Sequence, residues 1–194
     1  MEPFVARRLT NGEKDVLTHK RIGYYQLNYE DAKECLLIIK DIFDRHDVKF
    51  WLIYGTLLGA IRDGDLIPWD RDIDIGTFES DAEKRWPAIL EMLDNGFKVL
   101  RTNSFGNSVQ FIRGREQVDM SSYEPYMRNG RRLWRWGRFF EPNDYFTGFR
   151  EVPFLGTTFL VPEHAEKFLC DHYRGDEWKN PNPKCKHGKL WRVH

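Results

Sequence analysis

"YGTLLGAIRDGDLIPWDRDIDIG", residues 54–76, follows the apolar run Val48 to Tyr54 and closes on aspartates at every second position: Asp70, Asp72 and Asp74. If Arg71 to Gly76 is a strand, Ile73 and Ile75 face the core. The three aspartates then share the other face, with neighbours about 6.5 to 7 Å apart along the chain. Carboxylates aligned in this way repel one another. A hard divalent cation removes the conflict, because Mg²⁺ prefers oxygen ligands and binds through one or two carboxylates together with substrate phosphates. A solvated strand face is the bland account of a lone Asp-x-Asp. The residues just upstream favour a ligand site. "VKFWLIY" reads as a buried strand and is followed by a short helix over Thr56 to Ile61, with Gly55 at the junction. Such a strand-to-helix turn offers backbone N–H groups and the Thr56 hydroxyl to an anion, so a phosphate site lies beside a metal site.

Outward from this stretch the pattern alternates helix and strand. "NYEDAKECLLIIKDIFDRHD" has a cap candidate in Asn28, acids in its first turn and Leu36, Leu37, Ile39, Ile42 and Phe43 at helical spacing. Residues 62–69 carry two Gly and a Pro and read as loop. Asp81 to Leu93 reads as a second helix, and "FKVLRT", "SVQFIRG" and "QVDMSSY" as three short strands of a mixed sheet. Beyond Pro125 the reading weakens to a Gly- and aromatic-rich connection, until "VPEHAEKFLCDHYRG" announces a helix with Pro at its start and Gly after its end. The first 27 residues read as an arm or lead-in, residues 28–184 as the domain, and 185–194 as a polar tail.

The chain has 194 residues, and its 30 basic and 30 acidic side chains cancel. One domain is expected, with no global field toward nucleic acid or an anionic membrane. No signal peptide or apolar run of about 20 residues is visible, so the chain reads as cytoplasmic with no transmembrane segment. Three cysteines, Cys35, Cys170 and Cys185, do not make a disulfide framework.

The stretch from Tyr54 to Gly76 resembles the signature of the LicD family, which includes the bacterial phosphocholine transferases and the eukaryotic fukutin and fukutin-related proteins. "QVDMSSYEPY" is similar to the family's later acidic strand, and "VPFLGTTFLVPEHAEKFLCDHYRGDEWKNPNPK" to its closing segment, so the likeness runs from about Tyr29 to Lys184. The resemblance implies a nucleotidyltransferase-like α/β (α+β) fold: a mixed sheet flanked by helices, with an irregular C-terminal segment. It further implies Mg²⁺-dependent transfer, with Mn²⁺ as an alternative ion, of a phospho-alcohol such as phosphocholine or ribitol phosphate from a CDP-linked donor to a glycan or related hydroxyl acceptor. Gly55 and Thr56 match the phosphate-contacting turn, Asp72 and Asp74 the metal-binding pair, and Asp119 the third carboxylate, as ligand or as base. Two departures stand out: Asp63 where a His is common, which bears on the donor, and Arg71 where an acid is common, which a strand would point off the metal face.

Around this core several residues carry alternatives. Arg62 could clamp the diphosphate or be a surface Arg, and Asp70 could bind through water or cap the preceding loop. Tyr54 and Trp69 could stack on a base, with packing the ordinary use. Asp119, between Val118 and Met120, would face away from those two. Cys170, His172, Cys185 and His187 form a zinc-like set whose one-residue spacing is shorter than usual, which leaves Cys170 as a core thiol. "RNGRRLWRWGRFF" interleaves arginines with Trp134 and Trp136 and reads as a pocket wall or an exposed hairpin. Two rivals to the phosphotransferase are a nucleotidyltransferase that releases pyrophosphate and a non-catalytic nucleotide- or glycan-binding module.

Overall fold

The computed structural model of the chain describes residues 26–103 and 106–182. The expected arm, apart from its last two residues, and the expected tail lie outside the described residues.

Helix α1, Tyr29–Arg45, starts where Asn28 Oδ1 accepts the Asp31 N–H at 3.2 Å, and buries Ala32, Cys35, Leu36, Ile39, Ile42 and Phe43. That side-chain cap satisfies one of the orphan donors at the helix start. Strand β1, Phe50–Leu52, is buried throughout, and a single residue, Ile53, separates it from helix α2, Tyr54–Arg62. Strand β2, Ile73–Phe78, then pairs antiparallel with β1. Helix α3, Ala82–Asp94, leads to β3, Lys98–Thr102, β4, Ser108–Arg113, and the long β5, Glu116–Arg128.

The strands form the mixed sheet the sequence implied, in the order β1-β2-β5-β4-β3, with β2 and β5 parallel and the other neighbours antiparallel. Ile73, Ile75, Val118 and Met120 are at most 1% exposed. By alternation Asp74 and Asp119, between these pairs, point to the opposite face. Helix α1 packs on α3 and β5, and α2 packs on β2. Trp51 lies at the centre of an aromatic cluster, with ring centroids 4.6 Å from Phe78, 4.8 Å from Phe149, 5.0 Å from Phe146 and 5.8 Å from Tyr123.

The connection expected beyond Pro125 is instead sheet. Strand β5 runs on to Arg128 and continues through β6, Arg131–Trp136, and β7, Phe139–Pro142, as a meander. Asn129 and Gly130 both have positive φ, +51° and +73°, as a tight hairpin turn requires. Pro125 is tolerated because β2 ends opposite Tyr123, so one flank of β5 has no partner there. A separate hairpin, β8, Phe149–Phe154, and β9, Thr157–Pro162, packs Phe159 edge-on against Phe50. Helix α4, Ala165–His172, follows, three residues later than the Pro-started helix expected, because Pro162 ends β9. Among the described residues no helix is long and apolar enough to cross a membrane.

Candidate active site

The site grows from the junction between β1 and α2. The register that pairs Leu52 with Ile75 brings Ile53 opposite Asp74, and the Ile53 N–H donates to the Asp74 carbonyl at 3.3 Å. One turn along, the Asp74 N–H donates to Thr56 Oγ1 at 2.9 Å, and the Gly55 N–H donates to the Asp74 carboxylate. Gly55 must be glycine, since a Cβ there would run into the Asp70 carboxylate. The first turn of α2 is therefore seated directly on Asp70 and Asp74.

Strand β2 begins at Ile73 rather than Arg71, so the row of three strand aspartates is corrected: Asp74 lies in the strand, Asp72 just precedes it, and Asp70 is held in a turn. The Asp70 N–H donates to the Ile67 carbonyl at 3.0 Å, and its carbonyl accepts the Leu27 N–H at 2.9 Å. Asp119 joins from β5, where it pairs with Asp74 across the parallel strands. Asp72, Asp74 and Asp119 each bring one carboxylate oxygen to within 4.8 Å of the others. Two charges at that separation repel by about 3 kcal/mol at an effective dielectric of about 20.

Protonation follows from this crowding. Burial, then Asp70 and Asp119, push Asp72 up to about 7, and burial pushes Asp70 up to about 6. Asp74 is held well above the usual carboxylate range by burial and its acidic neighbours, against the Gly55 N–H. Burial also raises Asp119, while Gln110 and Gln117 offset part of the rise. Both amides donate to the same oxygen, Asp119 Oδ1, at 2.6 and 3.1 Å, which leaves Oδ2 for another partner. None of the three carboxylates forms an ion pair among the described residues. A half-buried all-oxygen set whose members resist ionising together fits a hard divalent cation.

The model of the LicD/FKTN/FKRP nucleotidyltransferase domain matches residues 47–164, which span α2 and every carboxylate of the cluster. The chain belongs to the LicD family. The human protein named ribitol-5-phosphate transferase FKTN is 38% identical over 162 residues, 78% of this chain and 34% of that protein. An uncharacterized Rickettsia typhi protein, RT0683, is 30% identical over 107 residues, 54% of this chain and 33% of its own. The human ribitol 5-phosphate transferase FKRP is 41% identical over 50 residues, 26% of this chain and 10% of its own. This chain thus spans about a third or less of the length of these relatives. The solution structure of the antibiotic-resistance factor ANT(2'')-Ia superposes with a TM-score of 0.53 at 17% identity, covering 80% of each chain, and shows the shared nucleotidyltransferase fold.

Within this LicD domain the other expected residues fall differently. Arg62 lies seven residues along α2 from Gly55, about 10 Å up the helix axis. Its guanidinium forks onto Asp63 at 2.7 and 2.6 Å and donates to the Trp178 carbonyl at 3.3 Å. Arg62 and Asp63 thus close the end of α2 remote from the cluster, and Trp69 lies against the guanidinium at 5.9 Å. Arg71 corrects the strand argument that set it aside: it precedes β2, and its charge eases ionisation of both Asp70 and Asp72.

Tyr54 packs rather than stacks on a ligand, because it is 8% exposed and its hydroxyl donates to Glu141 Oε1 at 3.1 Å. His172, 4% exposed, contacts the same oxygen through Nε2 at 3.3 Å and the Phe168 carbonyl through Nδ1 at 2.7 Å, which commits both ring nitrogens. Cys170 Sγ accepts from Trp178 Nε1 at 3.3 Å and donates to Asp176 at 3.6 Å, in half-buried packing. Cys185 and His187 lie outside the described residues. Sequence reasoning missed Gln110, Gln117 and Glu141, and set Arg71 aside. A Gln inside the apolar run of β4 was the available signal for the first.

Proposed function

We propose that this domain transfers a phospho-alcohol, with ribitol phosphate the leading candidate, from a CDP-linked donor to a hydroxyl of a glycan or related acceptor, using Mg²⁺ held by Asp72, Asp74 and Asp119. The observation that carries this reading is the convergence of three carboxylate oxygens within 4.8 Å with no ion-pair partner among the described residues. The likeness to the protein named ribitol-5-phosphate transferase FKTN supports the transferred group.

In this reading Asp72, Asp74 and Asp119 would hold the cation, and Gln110 and Gln117, both donating to Asp119 Oδ1, would leave Oδ2 for it. Gly55 and Thr56 hold Asp74 in place and shape the floor against which the diphosphate rests; Arg62 is left to its helix-end role, and Asp70 supports the Gly55 turn. A bound divalent cation supplies neutralisation of the diphosphate and of the leaving CMP. The acceptor oxygen attacks the phosphorus that bears the alcohol, the bond to the CMP oxygen breaks, and the hydroxyl proton is released.

Product analysis with CDP-ribitol, CDP-glycerol and CDP-choline, each with Mg²⁺ and with EDTA, tests this. CMP release that needs Mg²⁺ is the expected result. Pyrophosphate release from a nucleoside triphosphate would favour the nucleotidyltransferase, and tight nucleotide binding without turnover the binding module.

A further inference from the structure

The register of the sheet places a fourth and fifth residue in line with the cluster. Arg101 on β3 pairs with Gln110 on β4, Gln110 with Asp119 on β5, and Asp119 with Asp74 on β2. Residues paired across neighbouring strands project from the same face, at steps of about 4.8 Å. The row Arg101, Gln110, Asp119, Asp74 therefore crosses four strands on the face that carries the carboxylates.

Arg101 is in this row because β3 is irregular. Val99 pairs with Phe111 and Arg101 with Gln110, which leaves Leu100 as an extra residue. Without that bulge Leu100 would oppose Gln110, and Arg101 would point away. Bulges of this kind re-aim side chains and recur beside active sites.

Its surroundings leave the guanidinium available. Arg101 is exposed and makes no hydrogen bond or ion pair among the described residues. Gln110 turns its Nε2 to Asp119, and no hydrogen bond joins Gln110 to Arg101 among the described residues. The Arg101 charge reaches Asp119 across Gln110 and eases that carboxylate's ionisation. Arg113, on the neighbouring strand β4, is already paired with Glu34.

We infer that Arg101 is a phosphate-binding residue, which takes the donor's diphosphate on the side away from Asp72 and Asp74. The inference rests on the donor reading above and adds a residue to it. A diphosphate held by a cation at one end of the row still carries negative oxygens toward the other end, and a planar guanidinium donates to two of them at once.

Calorimetry on the full chain with Mg²⁺ alone, Mg²⁺ with inorganic pyrophosphate, and Mg²⁺ with CDP tests this in the wild type, Arg101→Gln and Arg101→Lys. Arg101→Gln should weaken pyrophosphate and CDP by roughly 10- to 100-fold, the range of a charge-assisted bidentate contact, with Mg²⁺ affinity held within about twofold. Arg101→Lys should recover part of the loss. Unchanged pyrophosphate affinity in Arg101→Gln overturns the inference. So does an equal loss of Mg²⁺ affinity, which would make Arg101 a support for Asp119 alone. A wild type that binds Mg²⁺ but no pyrophosphate overturns both this inference and the donor reading. If pyrophosphate binds and loses affinity in the variant while CDP binds no tighter than ADP, the cytidine reading fails and Arg101 stands.

Discussion

The two ends of β5 treat charge in opposite ways. At its start Asp119 meets Asp72 and Asp74 without an ion pair, and two neutral amides are its hydrogen-bond partners. At its far end Glu124 accepts from Arg135 Nη2 at 2.6 Å, Arg135 lies 4.7 Å over Tyr126, and Arg128 lies 5.2 Å over Phe140. The second arrangement is complete within the protein. The first is left open, a cluster that could hold a cation, and on the proposed function this contrast makes one end serve chemistry and the other the sheet.

Removing a ligand at the open end should have the largest effect. Asp72→Ala or Asp74→Ala strips an oxygen from the cation and is expected to lower CMP release by about 10³-fold or more, together with Mg²⁺-dependent CDP affinity. Near-normal turnover in either variant would reduce the aspartates to a solvated face. Asp119→Asn comes next and sharpens the role of that residue. With Oδ1 already taken by two amides, the account predicts that donor binding and turnover fall together. Retained binding with a 10²- to 10⁴-fold slower transfer would make Asp119 the base instead.

Stability should respond to pH at the open end in a direction fixed by the raised carboxylates. Asp70 and Asp72 hold protons up to about 6 and about 7 in the folded chain, while an unfolded Asp releases its own near 4. At these two groups the folded state binds more protons in that window, so the stability they contribute is fullest below about pH 4 and is lost as pH rises through about 7. Thermal melts in EDTA from pH 4 to 7.5 should therefore show a Tm-lowering contribution from Asp70 and Asp72, read as the difference between the wild type and Asp72→Asn. Asp72→Asn should gain Tm relative to the wild type as pH rises toward 7.5, and Mg²⁺ should raise the wild-type Tm most at the upper end, where the ligands are ionised. A wild type and Asp72→Asn whose Tm changes in parallel across that range would contradict the crowding.

The closed end should respond least. Glu124→Gln removes a half-exposed ion pair, for which about 1 kcal/mol or less is expected, with CMP release unchanged. A large loss of transfer in that variant would extend the site along the whole of β5.

How much of this was legible depends on how local each signal is. The Asn28 cap, the apolar spacing of α1, the strand before Tyr54 and the Asp-x-Asp alternation all reside in short windows, and each was readable. The start of β2 was misplaced because Asp70 has its N–H and carbonyl drawn into contacts with Ile67 and Leu27, the latter more than 40 positions away. Pro125 looked like a strand end because its missing donor matters only where a partner strand exists. The Asn129-Gly130 turn was a hairpin signal in plain sight, masked by the arginines and tryptophans around it. His172 looked like a zinc partner for Cys170, but its partner, Glu141, lies on strand β7, far from helix α4 in sequence. Gln110 and Arg101 needed the register, including a bulge, and register is not written in any one strand.

The central claim is that Asp72, Asp74 and Asp119 hold a divalent cation through which the donor's diphosphate binds. Titrating CDP into the full chain at pH 7.5 by calorimetry, once in Mg²⁺ and once in EDTA, tests it most directly. The account predicts at least tenfold tighter binding in Mg²⁺, because in EDTA the diphosphate would face the carboxylates unshielded. Equal affinity in the two buffers would contradict it.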